Sequence, residues 1–408
     1  MSNSNPPIGN PTGADDIQRV KKRKPILPLP CIIIAAACVL AFAACLLVSS
    51  LYPRTLYDQR MWQFYATGSV APVDDAVTPD ATTADTSSVS FSQVSAFLAR
   101  GSGYDYIGFL QLRQRIADKY TADGLLPPGD SSQPWLDAAS GTVQGMSVKG
   151  ESRTANGITV TAILGDFFYF HPTVMKTGTA IVPHGISKDV IMLDTQTAWD
   201  AFGSYDIVGA RAELNGVPCI VGGVFEKDKN DTAKSRIYVS YEFLVEINAS
   251  AELNTLEFVL PGPVSGYGTM MMYNEADSTG LLASIPQQNI VIVDNSTRFE
   301  PSTLLKTIGN LGDFVAQTRE IALPYWENAA RAATLTAAIF LVLALVFATF
   351  PIIVILIALL KAARAFSAVS RRRKAAREFS EDLDEDEFEL DPIRLALRAL
   401  RILLRQRG

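Results

Sequence analysis

The chain has 408 residues, of which 48% are apolar and 19% charged, and it carries a formal net charge of −6. That length admits two or three domains, and the apolar surplus with a positive mean hydropathy points to a membrane component. The four cysteines exclude a legible disulfide framework: Cys31, Cys38 and Cys45 share one helical face of an apolar run and suit helix packing in lipid, while Cys219 stands alone.

Met1 to Asp16 is rich in Ser, Asn, Pro and Gly without an apolar period, so residues 1–25 read as a disordered tail. A basic cluster, Arg19 and Lys21-Lys22-Arg23-Lys24, precedes Cys31 to Leu51, which runs 21 residues without a charge. A helix over 26–52 would cross a hydrocarbon core of ~30 Å. The competing assignments are a secretory signal cut at Ala41-Phe42-Ala43 and a lipoprotein signal at Phe42-Ala43-Ala44-Cys45. The apolar run continues past both cuts, which favours retention. Tyr52, Tyr57, Trp62 and Tyr65 suit the membrane interface, and 53–88 is expected to be a juxtamembrane segment with a flexible linker.

A folded domain is expected over 89–330. Val89 to Leu98 alternates as a strand, Phe109, Leu112, Ile116 and Tyr120 mark one face of a helix from about Ile107, and Ile158 to Leu164 is a second strand. It leads into Gly165-Asp166-Phe167-Phe168-Tyr169-Phe170-His171-Pro172, an aromatic block that must be buried, with Phe167, Phe168 and Phe170 in the core. Asp189 to Leu193 is a strand and Asp194 the N-cap of a short helix. Ala198, Trp199 and Phe202 form the stripe packing that helix onto the strand, and Gly203 is a left-handed cap. Asn215-Gly216 between two apolar runs predicts a two-residue hairpin, and Gly222-Gly223 a bulge or close backbone approach. Arg236 to Val239 is a strand after which Ser240 caps a helix from Tyr241. Leu256 to Leu260 and Ile290 to Val293 are strands, and Pro301 to Thr318 is a helix with Leu304, Leu305, Ile308, Leu311 and Val315 on its apolar side.

Ala332 to Leu360 is 29 residues without a charge, enough for one tilted span over 331–361, with Tyr325 and Trp326 as anchors and Pro351 as a kink point. Basic clusters before the first span and after the second place both termini in the cytoplasm and the large domain outside. Pro53 to Ala330 then holds 31 acidic against 18 basic residues, which argues against nucleic acid as a partner. The cytoplasmic segment 362–408 combines an acidic run with a helix whose apolar face includes Leu397, Leu400 and Leu404 and whose other face holds Arg394, Arg398 and Arg401. Such a helix lies on an anionic leaflet or docks in a partner's groove.

Catalytic motifs are lacking. His171 and His184, the only histidines, sit in no triad-like phrase, and neither a nucleophile elbow nor a zinc-protease pair occurs. Spacing lends no support to a metal site built from them with Asp189 or Asp194, so His171 is expected to be a packed or backbone-bonded residue. No enzyme activity and no cofactor are expected. The chain also lacks the G-x-x-x-x-G-K-[ST] phosphate loop, so any ATPase it works with is another polypeptide.

The succession GDFFYFHP, KTG, DVIMLD, TAWDAFGS, DIVGARAELNGVPCIVGGVF and RIYVSYEFL, between Ile163 and Tyr241 and a little beyond, resembles the periplasmic core domain of MacB-type ABC transporter permeases. Weaker similarity extends over Ser90 to Arg331. The resemblance implies an α+β fold: a two-span membrane protein whose extracytoplasmic, porter-like α+β subdomain is interrupted by a small β-rich subdomain at about 165–250. It also implies coupling to cytoplasmic ATP hydrolysis through helices that continue into the outer domain. The family carries three helices after that domain, with a loop that contacts the ATPase; here one is visible, so the chain looks like a reduced two-helix form and its terminal amphipathic helix is the candidate substitute. Expected partners are membrane lipid, a separate ABC ATPase, further permease subunits and a homo- or hetero-oligomer. A membrane-anchored binding or sensing module independent of an ATPase is the alternative.

Overall fold

Along the central strands, apolar residues occupy every second position and a mixture of polar and aromatic residues the others, so the sheet must have two unlike faces. The computed structural model describes residues 28–55, 90–126, 129, 133–183, 187–264, 266–273, 279–315 and 321–388. In chain order the elements are α1 (Leu29–Leu51), β1 (Ser90–Leu98), α2 (Tyr106–Ala122), β2 (Leu136–Lys149), β3 (Thr154–Gly165), the single turn α3 (Phe167–Phe170), β4 (Val174–Gly178), β5 (Val190–Asp194), α4 (Thr195–Phe202), β6 (Arg211–Leu214), β7 (Val217–Glu226), β8 (Arg236–Ser240), α5 (Tyr241–Ile247), β9 (Thr255–Gly262), α6 (Tyr267–Met272), β10 (Ile290–Asp294), α7 (Pro301–Gly309), α8 (Leu311–Val315) and α9 (Tyr325–Phe388).

The strands form one sheet in the order β10-β1-β9-β2-β3-β8-β5-β7-β4, with β6 alongside β2 and β7. Two separated chain segments build its β10-β1-β9-β2 half with antiparallel pairing, and the insert carrying β4 to β8 builds the rest, joined where β3 runs parallel to β8. This is an α+β architecture with a β-rich insert between two flanking segments.

Each face of the sheet has its own core. Ile158, Val160, Ala162 and Leu164 of β3, Ile237 and Val239 of β8, and Leu256, Phe258 and Leu260 of β9 pack with Phe109, Leu112, Ile116 and Tyr120 of α2. The intervening residues Ile163, Tyr238 and Val259 pack with Phe167 and Phe170 of α3 and Trp326 of α9. α7 covers α9 higher up: Leu304 is buried with Ala337, Ala338 and Leu341.

Packing divides the chain into two units, residues 44–343 and the ends 1–43 with 344–408. α1 and α9 contain segments long and apolar enough to cross a membrane. Inside the larger unit the end of α1 meets α9 through Ser49, whose hydroxyl donates to the Ala337 carbonyl at 2.9 Å.

The expected helix over Pro301 to Thr318 is broken. α7 stops at Gly309, where Asn310 leaves helical geometry as the C-cap, and α8 starts at Leu311; Leu305 and Leu311 stay exposed, and residues 316–318 lie outside the described residues. Strand β2 is unforeseen: its polar and glycine positions mask it, and register shifts between Val143 and Ser147 break its alternation. The linker aromatics Tyr57, Trp62 and Tyr65, His184, and the amphipathic face Arg394, Leu397, Arg398, Leu400, Arg401 and Leu404 lie outside the described residues.

Candidate functional site

The face of the sheet that receives α9 is built from the second set of strand positions, and these carry an unusual load of buried polar groups. Phe167 is the centre of its aromatic part. Its ring lies 5.5 Å from those of Phe168 and Tyr238, 4.8 Å from His171 and 5.9 Å from Trp326 in the first turn of α9. His171 and Trp326 are closer still, at 4.1 Å. Gly165 lets this cluster form. It adopts φ +64, and a Cβ there would stand 2.4 Å from the Asp137 carbonyl oxygen, so any side chain would push β3 off β2. Asp166 precedes the turn, whose C-cap is His171, with its N–H bonded to the Phe167 carbonyl; Pro172 then ends the block.

From His171 a chain of polar contacts runs across the sheet to α9. His171 Nε2 lies 2.5 Å from Glu257 Oε2 on β9, with both side chains almost wholly buried. The other Glu257 oxygen accepts from Ser95 on β1, which accepts from Asn295 Nδ2 at 2.9 Å. Asn295 Oδ1 accepts from Arg298, and Arg298 grips Glu327 on α9 with two bonds of 2.8 Å while donating to Thr334 about two turns further on. Glu327 also accepts from Arg331. A two-pronged guanidinium–carboxylate pair fixes direction as well as distance, and when buried it is strongly destabilised by losing one partner. The first three turns of α9 are thereby tied to β1, β9 and α3 by directional bonds.

A second buried cluster flanks the first. Arg236 on β8 donates to both oxygens of Asp231, at 2.5 and 2.9 Å, and to Thr161 at 2.7 Å, and lies 4.9 Å from the Tyr325 ring. Burial pulls its pKa down, but the Asp231 bonds together with the electrostatic attraction of Tyr238, Asp231 and Tyr325 outweigh this and the net shift is upward. Tyr238 is pushed upward by burial and stays a neutral phenol. Asp194 caps α4 through the Thr197 N–H at 2.7 Å and accepts from the Arg236 N–H; burial raises its pKa against those bonds.

Other expected positions fall as follows. Phe167 and Phe170 are core, Phe168 is half-buried, and Tyr169 is 63% exposed, so the block is not buried throughout. Phe202 packs on the main core, but Trp199 is 52% exposed and rests on Tyr205 at 5.7 Å. Ala198 and Ala201 hold the buried stripe of α4 instead, because small residues let the helix approach the sheet more closely than an indole would. Gly203 takes the left-handed cap at φ 72, and Asn215 and Gly216 turn the hairpin. His171 pairs with a carboxylate rather than with backbone alone. Glu257, Ser95, Asn295, Arg298 and Glu327 were not anticipated, although a lone acid inside the apolar phrase Thr255-Leu-Glu-Phe-Val-Leu260 was a visible signal. The His171–Glu257 pair is sealed from solvent, with side chains 2% and 1% exposed.

No curated protein matches the chain. Among solved structures it is similar to the periplasmic region of MacB from Actinobacillus actinomycetemcomitans (14% identity, 53% of this chain and 92% of that one, TM-score 0.36). It is also similar to the extracellular domain of the noncanonic ABC-type transporter YknZ from Gram-positive bacteria (12%, 50% and 100%, TM-score 0.34) and to a domain of a putative permease protein from Porphyromonas gingivalis (10%, 50% and 89%, TM-score 0.29). Residues 59–285, more than half of the sequence, match the family described as MacB-like periplasmic core domain; the chain belongs to that family, of the MacB-type permeases.

Proposed function

We propose that this membrane protein is a permease-like, non-ATPase subunit of a MacB-type export or mechanotransmission system, in which α9 carries displacement between the extracytoplasmic domain and the cytoplasmic side, where both termini lie. The observation that carries this is the root of α9: Glu327, held by Arg298 and Arg331, and Trp326, held by Phe167 and His171, belong to a helix of 64 residues. About 20 residues suffice to span a bilayer. Directional bonds at the root fix the orientation of α9 as well as its distance from the sheet.

Cross-linked co-purification of the full chain from its native membrane tests the assignment. Recovery of a P-loop ATPase polypeptide is expected. Its absence, with the chain intact, overturns the permease-subunit assignment in favour of a binding module that works without an ATPase.

A further inference from the structure

Beside the root of α9, on the same polar face of the sheet, the larger unit holds a partly open cavity of about 590 Å³, within the range of small-molecule sites. Its walls include Arg100 at the end of β1, Gln144 at the bulge of β2, Thr159 of β3, Arg236 of β8, and Tyr325 and Asn328 of α9. Among the described residues no Asp or Glu lines it, although Pro53 to Ala330 carries 13 more acidic than basic residues. Arg100 is exposed, and among the described residues its guanidinium, like the Gln144 amide, is held by no hydrogen bond or ion pair. Arg236 spends three of its five N–H groups on Asp231 and Thr161. Gly145 and Gly157, both on the wall with positive φ, have open space where a Cβ would stand, which keeps the β2–β3 side of the cavity clear.

We propose that this cavity binds a small, hydrogen-bond-rich molecule carrying an anionic group, a carboxylate or a phosphate, with Arg100 as the charge partner and Gln144 and Thr159 as hydrogen-bonding partners. An acidic domain repels anions at long range, so a wall whose described residues include no carboxylate and whose Arg100 guanidinium is paired with none of them is where one can be held. Polar walls select against an apolar ligand, since burying unpaired amide and hydroxyl groups under hydrocarbon is unfavourable. The occupant would touch Tyr325 and Asn328 and so contact the first turn of α9.

Calorimetric titration of the full chain in lipid nanodiscs with acetyl-trialanine, its C-terminal amide and inorganic pyrophosphate tests the site without any ATPase, so its failure is separable from that of the permease assignment. Saturable binding of at least one of the two anions is expected, roughly tenfold weaker in Arg100→Ala, with the neutral amide weaker by a similar factor. Binding of the peptide alone identifies a carboxylate site, and binding of pyrophosphate alone a phosphate site. Arg100→Ala removes a side chain bonded to nothing described, so its thermal midpoint should match that of the parent. Absence of saturable binding by both anions, unchanged affinity in Arg100→Ala, or equal binding of the amide overturns the proposal.

Discussion

Asn215 at φ 51 and Gly216 at φ 89 turn β6 into β7 with Leu214 opposite Val217, the two-residue hairpin in which both central residues are left-handed. Nothing lies within 4 Å of where a Cβ on Gly216 would stand, so a substitution there meets backbone strain and no clash. Gly216→Val should therefore lower stability by about 1 to 2 kcal/mol, read as a lower thermal midpoint of the full chain; an unchanged midpoint removes this account of the turn. The dipeptide was legible because the turn demands it locally. Gly165 was legible only as the head of the aromatic block, because the Asp137 carbonyl that excludes a Cβ belongs to a strand the sequence did not announce. Trp199 misled for a different reason, since aromatic size suggested burial where close helix–sheet approach requires alanine.

Caps and alternation made most elements readable. Asp194 and Ser240 accept from the Thr197 and Phe243 N–H groups as their positions imply, and Gly222 sits at the register shift between β5 and β7, where its Cβ would meet Val190. The hidden feature was the second face. Thr161, Arg236 and Glu257 alternate with apolar neighbours in the pattern of a half-solvated sheet, yet α3 and α9 cover them. A period of two distinguishes two faces without saying what lies over either. The tie between this face and α9 can be measured. Glu327→Leu leaves Arg298 buried beside an alkyl group and should destabilise the domain by about 3 to 5 kcal/mol. Arg298→Met with Glu327→Leu removes both charges and should lose clearly less than the sum of the single changes, because the two residues share one interaction. Additive losses in thermal unfolding would show that the pair does not act as a unit.

At the scale of the whole chain, the basic clusters flanking both spans set the proposed orientation, and the cysteine inventory allows it to be tested cleanly. Cys219 is 3% exposed and burial pushes its thiol up to about 12. A raised thiol pKa favours the protonated, unreactive form, so below pH 9 the thiolate that attacks maleimide is scarce and the side chain is also out of reach. Cys31, Cys38 and Cys45 lie in α1 and can be replaced by alanine. Against that silent background, Tyr169→Cys reports the core domain from a position 63% exposed, and Ser370→Cys reports the far part of α9. A membrane-impermeant maleimide at pH 7 should label the first variant in intact cells and the second only after the membrane is opened. Labelling in the reverse sense would invert the topology and place the root of α9, with its cavity, on the side of the membrane where ATP is hydrolysed, leaving α9 no outer domain to connect to it.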